Sequence, residues 1–196
     1  CYQEYFHPHE IEALFGYMSN GTQPSCCYIG RSPRARKLGD KSAIDGTYLI
    51  TIDIDPIGEK PSSDNELHEA TQEAEELASR IKNLFGSESD CLMSGNGVQL
   101  WIPLNGVVDV RGRKRWWEEI VRGFEVEITS NYRPAHQVEI DPQYDLPRLC
   151  KLPGSLSCKG KPSKERPWRY AQWLTHEELD PATYLDADKL IARYGK

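Results

Sequence analysis

The sequence predicts an α+β chain with helices laid over a sheet, and three observations carry that prediction. TYLITIDID, ending at Pro56, is a β-branched run of strand type. From Leu67 to Leu84, apolar residues recur at spacings of three and four, the period of a helix with one buried face. Beyond it the two kinds of segment keep alternating, with no internal repeat and no low-complexity linker between them.

HPHEIEALFGYM predicts a short helix over Pro8–Met18, stopping near the Asn20–Gly21 turn, and SCCYIG predicts a strand. After TYLITIDID comes the clearest helix. Ser63 and Glu66 form an S-x-x-E capping box, and Gly86 is a natural stop. Leu67, Ala70, Ala74, Leu77, Ile81 and Leu84 share one face, while the opposite, acidic face reads as solvated. Cys91–Met93 and VQLWIPL are strands on either side of an SGNG turn. Arg111 to about Thr129 predicts a helix with Trp116, Ile120 and Phe124 at i, i+4 and i+8. HQVEID is a strand broken by Pro142. A Pro-, Gly- and Lys-rich loop runs from Asp145 to Pro167, then WRYAQWL as a strand and Pro181–Tyr194 as a last helix.

Composition bounds the function. A chain of 196 residues can bury a core without disulfides or a structural metal. Its 38% hydrophobic and 28% charged residues exclude a disordered or fibrous protein. Cys1, Cys26, Cys27, Cys91, Cys150 and Cys158 show neither a CxxC pair nor zinc-finger spacing. They are expected to be reduced, mostly buried thiols of a cytoplasmic protein. No apolar run approaches the ~20 residues of a membrane span, and there is no signal peptide, so no membrane partner is expected. Beginning at Cys1 rather than Met, the chain is expected to be a fragment of a longer protein. A net charge of −6 argues against indiscriminate coating of nucleic acid but leaves room for a local basic groove.

The chemistry concentrates at strand ends. Asp53 and Asp55 lie two apart on one strand and so share a face. Carboxylates ~4 Å apart repel by roughly 4 kcal/mol at an effective dielectric near 20, and hard divalent cations such as Mg²⁺ or Mn²⁺ are the usual compensation. Asp141, also ending a strand, could complete a three-carboxylate site for two ions. The plainer alternative is that Asp53 and Asp55 open a turn before Pro56. The Ser94–Gly97 turn could aim backbone N–H groups at an anion or simply connect two strands. Arg148, Lys151, Lys159, Lys161, Lys164, Arg166 and Arg169 populate the loop after the acidic strand end, and such neighbouring patches suit a metal–triphosphate ligand. Two further basic clusters, Arg31–Lys37 and Arg111–Arg115, could follow a nucleic-acid backbone or sit on solvated surface.

In order along the chain, these segments resemble the archaeo-eukaryotic primase superfamily, in its primase-polymerase branch of plasmid, phage and CRISPR-associated replication proteins. LITIDIDP is similar to the first motif, SGNGVQLWIPL to the second, and VEIDPQYDLPRLCKLPGSLSCKG to the third, with ERPWRY matching an Arg-Pro-x-Arg element beyond it. The resemblance covers roughly residues 25–172. It implies an N-terminal αβ module, about 1–50, packed on a module resembling an RNA-recognition motif, about 51–175, with a mostly antiparallel sheet. It implies that Asp53, Asp55 and Asp141 bind two catalytic Mg²⁺ or Mn²⁺ ions. Ser94, Gly97, Gln99, Lys151, Lys159, Arg166 and Arg169 would meet the nucleotide, and Arg31, Arg34, Arg36 and Lys37 the nucleic acid.

The implied activity is that of a DNA primase or DNA polymerase, a nucleotidyltransferase acting on dNTPs or NTPs with a DNA template and primer. A helicase or CRISPR-associated domain would be its neighbour in the full-length protein. One departure is plain: the second motif ends in Gly97-Val98-Gln99, where the family has histidine. Glutamine donates a hydrogen bond but cannot become cationic, and one lost charge-assisted contact costs ~1.5–3 kcal/mol. That departure keeps open a weak or inactive replication-initiator domain of the same fold. A rolling-circle nuclease fits less well, because His7-Pro8-His9 lacks the bulky apolar residue between its histidines. The charge pattern predicts an acidic exterior around a basic cleft.

Overall fold

The structure, a computed structural model, describes residues 12, 16, 26–35, 40–175 and 178–196. The helix predicted over Pro8–Met18 lies outside the described residues except for Glu12 and Gly16, which are helical, and Arg36 and Lys37 also lie outside them.

Strand β1 (Tyr28–Gly30) is followed by the long β2 (Gly46–Pro56), helix α1 (Asp64–Phe85), β3 (Asp90–Met93), β4 (Val98–Asp109), α2 (Lys114–Thr129) and β5 (Val138–Pro142). Short strands β6 (Leu149–Lys151), β7 (Leu156–Ser157), β8 (Arg169–Tyr170) and β9 (Gln172–Trp173) precede α3 (Ala187–Tyr194). The principal sheet has the order β5-β2-β4-β3-β9 with every neighbour antiparallel. From β2 to β5 the chain therefore follows a β-α-β-β-α-β path, its first and third strands central. The molecule is α+β, with helices and antiparallel sheets.

One face of the sheet carries Ile50, Ile52 and Ile54 of β2 and Val98, Leu100 and Ile102 of β4, all buried under α1 and α2. α1 has both halves of the predicted capping box, with Glu66 N donating to Ser63 Oγ and Ser63 N to Glu66 Oε2 at 2.7 Å, and ends at left-handed Gly86. Its core stripe is Ala70, Ala74, Leu77 and Ile81, whereas Leu84 is exposed. α2 starts at Lys114, and its most buried tryptophan is Trp117 rather than Trp116. The helix is turned so that Trp117, Ile120, Val121, Phe124 and Ile128 face inward, while Trp116 donates to Gly195 O at 3.4 Å under the Arg113 guanidinium.

Three segments differ from the sequence expectation. The Asp145–Pro167 loop contains β6 and β7; β6 pairs with β1 to make a ribbon over the other face of the sheet. WRYAQWL is two strands, with buried Ala171 as the bend: β8 pairs with β7, and β9 adds to the edge of the main sheet. Pro181–Thr183 is a 3-10 turn, and α3 begins only after Asp186, whose carboxylate caps Asp188 N and Lys189 N. Among the described residues no helix is long and apolar enough to cross a membrane.

Candidate functional site

Residues of β2 alternate between faces, so Thr51, Asp53 and Asp55 point away from the helices, toward the β1–β6 ribbon and the basic loop. Asp53 occupies the central position. It is in register with Gln99 of β4 on one side and with Asp141 of β5 on the other. Two residues along, Asp55 is in register with Glu139. Two alternate rungs of β2 and β5, separated by Ile54 and Ile140, thus bring four acidic residues to one face. Like charges directly opposite in a sheet are destabilising.

The electrostatics follow from that crowding. Burial, then Asp55 and Asp141, push the Asp53 carboxyl up to about 7, with Lys159 and the Gln99 side chain pulling the other way. Among the described residues, buried Asp53 Oδ1 has no hydrogen-bond partner. The neighbouring acids are held by cations instead: Lys60 Nζ lies 3.6 Å from Asp55 Oδ2, and Arg148 Nη1 lies 3.7 Å from Asp141 Oδ2. Among the described residues no three His, Cys, Asp or Glu side chains are gathered closely enough to chelate an ion as they stand. The donor set nevertheless fits a hard divalent cation: oxygen ligands on adjacent strands, one carboxylate oxygen buried and unpaired, and Lys60 and Arg148 as exchangeable ion-pair partners of the rest.

The glycine turn fits against this group closely. A Cβ on Gly97 would lie 2.3 Å from Asp55 Oδ1 and 2.4 Å from Ile54 O, so only glycine lets β4 pass beside Asp55. Two of the turn's donors are occupied, Gly97 N by Ser94 Oγ at 3.2 Å and Gly95 N by Met93 Sδ at 3.0 Å. Asn96 is clasped by Ser62 and Ser157. Gln99 is buried, and its Oε1 accepts Lys151 N at 3.0 Å. A glutamine can accept from that amide and still donate toward Asp53, which gives Gln99 a defined role.

The predicted cations divide sharply. Lys159 is exposed on the loop and acts electrostatically on Asp53. Lys151 is buried, its Nζ donating to Leu156 O at 2.8 Å above the Tyr28 ring. Arg166 forks onto Glu66 at 2.7 and 2.8 Å, holding that carboxyl down at about 2, and Arg169 reaches Asp64 at 2.6 Å. Both tie the loop to the start of α1. Arg31 is buried at 3% exposure, and Arg34 donates to Asp40 O and Pro147 O. In the Arg111–Arg115 cluster, Arg111 pairs with Asp109, and Lys114 binds the carbonyls of Lys41 and Ser42. The charge around Asp53 is therefore mixed, with Lys60, Arg148 and Lys159 among the acids, rather than a basic cleft inside an acidic shell. His136 is bound to Glu73 of α1 at 2.8 Å, on the helix side of the sheet, and does not stand in for the missing histidine.

Sequence reasoning missed Glu139, although alternation within VEID already placed it on the face of Asp141. It also missed Lys60, whose partnership with Asp55 depends on how the chain turns after Pro56.

No family model matches the sequence, and no curated protein matches it. Four chains of solved structures do match. One is the polymerase domain of Ligase D from Mycobacterium tuberculosis in complex with DNA, with a TM-score of 0.38 and 19% identity, covering 88% of this chain. This chain spans 59% of that one. At such a TM-score the likeness carries no argument about activity.

Proposed function

We propose that the chain is a metal-dependent nucleotidyltransferase that adds nucleotides to a nucleic-acid strand, with primase or polymerase activity on a DNA template. The observation that carries this is the Asp53 rung: a buried, unpaired carboxylate oxygen in register with Asp141 and beside Asp55. Such an arrangement costs stability unless a cation enters it. Asp53, Asp55 and Asp141 would hold Mg²⁺ or Mn²⁺. When bound, such ions neutralise phosphate charge and make a hydroxyl a better nucleophile.

The chain's own residues do the remainder. With its carboxyl pushed up to about 7, Asp53 would have to give up its proton to serve as a ligand. Lys60, paired with Asp55, and Arg148, which bridges Asp141 and Asp145, would stand beside Lys159 as cations for phosphate oxygens. Gln99 holds the Lys151 backbone and steadies Asp53 from the opposite side.

Primer extension with Mn²⁺ or Mg²⁺ tests the assignment. Asp53→Ala and Asp141→Ala are expected to abolish incorporation, and full activity in both would remove the site. If the wild-type chain binds primed DNA and Mn²⁺ but incorporates nothing, the replication-initiator alternative, motivated by Gln99, takes its place.

A further inference from the structure

Among the described residues β5 is an edge strand, joined to the sheet through β2 alone, and its backbone ladder stops at Pro142, which has no N–H to donate. Beyond that point side chains continue the pairing. Thr51, two residues before Asp53, donates through Oγ1 to Gln143 Oε1 at 3.1 Å, and Gln143 lies two residues after Asp141. The rung is clamped from both ends. Arg31 Nη1 donates to Thr51 Oγ1 at 3.1 Å, and its Nη2 donates to Asp145 O at 2.6 Å. From α2, Glu125 Oε1 accepts Gln143 N at 2.8 Å, and Glu118 Oε1 accepts Leu146 N at 3.2 Å.

Arg31, Thr51, Gln143 and Glu125 are exposed by only 3, 0, 4 and 1%, so none can touch a substrate. The network also leaves Arg31 Nε and Glu125 Oε2 buried without partners among the described residues. An apolar core at this position would carry no such cost, and buried charged groups are often replaceable by apolar ones without loss.

We propose that the buried Arg31–Thr51–Gln143–Glu125 chain is the positioning device of the acidic site, fixing the separation of Asp53 and Asp141 against their mutual repulsion. This rests on the metal-holding role given to those two acids above. Arg31 then serves the site from behind rather than gripping nucleic acid, and Thr51 and Gln143 are positioning residues acting through their strands. Supporting groups of this kind commonly govern metal affinity by 10–100-fold.

The test is Mn²⁺ titration of the intact chain, read as free Mn²⁺ by electron paramagnetic resonance, with primer extension and melting temperature alongside. Thr51→Val keeps shape and removes the hydroxyl; Gln143→Met repeats the deletion from the other side; Thr51→Ser restores the hydroxyl. The two deletions are expected to weaken Mn²⁺ binding by about tenfold or more and to raise the Mn²⁺ needed for extension, with the rate at saturating Mn²⁺ within about threefold of wild type. Thr51→Ser should bind like wild type. Wild-type Mn²⁺ affinity in either deletion, or an equal loss in Thr51→Ser, overturns the proposal. So does a melting temperature lowered by more than about 10 °C in both deletions, which would make the rung structural. Asp53→Ala separates the two levels. If it still binds Mn²⁺ normally, the metal assignment fails and the positioning role goes with it. If it loses Mn²⁺ while the deletions do not, only the positioning role fails.

Discussion

Asp53 of β2 and Asp141 of β5 are register partners, so the fold places two carboxylates in one rung of an antiparallel sheet. Asp53 is held well above the ordinary aspartate value, at about 7, chiefly by burial and then by its acidic neighbours. The folded protein therefore binds that proton more tightly than the unfolded chain does. The stability this contributes is full below ~4 and is lost as pH rises through about 7. Asp53→Asn, which mimics the neutral acid, should stabilise the metal-free protein by about 1–3 kcal/mol at pH 8 and hardly at all at pH 4, measured by urea unfolding. Saturating Mn²⁺ should stabilise wild type but not this variant.

Glu125 of α2 gives a second pH dependence of the same sign. Burial pushes its carboxyl up to about 8, against the pull of Gln143 N–H and Arg31. Its share of stability is full below ~4.3 and lost as pH rises through about 8. Glu125→Gln keeps an acceptor for Gln143 N and cannot ionise. Its melting temperature should match wild type at pH 5 and exceed it at pH 9. Parallel curves over that range would contradict the assigned burial.

Gly97→Ala should damage site and fold together. The added methyl meets the Asp55 carboxylate and the Ile54 carbonyl, and strand backbone cannot move away cheaply. A loss of about 1–3 kcal/mol in stability is expected, with extension falling by more than the stability change explains, because Asp55 is displaced. Melting curves and single-turnover extension rates check both parts.

Lys159→Ala isolates the loop cation. Lys159 lowers the Asp53 pKa, so its loss should move half-maximal Mn²⁺ binding to higher pH and raise the KM for nucleotide, leaving the melting temperature almost unchanged because the side chain is exposed. An unshifted pH profile would place Lys159 away from the site.

Much of the fold was legible because it rests on periodicity. Alternation in TYLITIDID separated the isoleucines from Thr51, Asp53 and Asp55, and the capping box and Gly86 marked α1. The shared face of Asp53 and Asp55 was legible for the same reason. What charge alone could not show was which partners the cations have. Arg31, Arg166 and Arg169 appear in sequence as free positive charge, yet the first is buried and the others are spent on Glu66 and Asp64. Partnership of that kind depends on residues some hundred positions away. The choice of Trp117 over Trp116 likewise depends on a small rotation of α2 that spacing leaves open. Gln99 looked like a defect against the resembled motif, but it is buried, accepts from Lys151 N and stands in register with Asp53.

The most direct test of the central claim is a crystal structure of the chain soaked with Mn²⁺ and a nucleoside triphosphate. The anomalous signal should place manganese between Asp53 and Asp141, with Asp55 among the ligands, Arg148 withdrawn from Asp141 and the triphosphate against Lys159. Manganese bound elsewhere while Arg148 and Lys60 keep their ion pairs with Asp141 and Asp55 would contradict it.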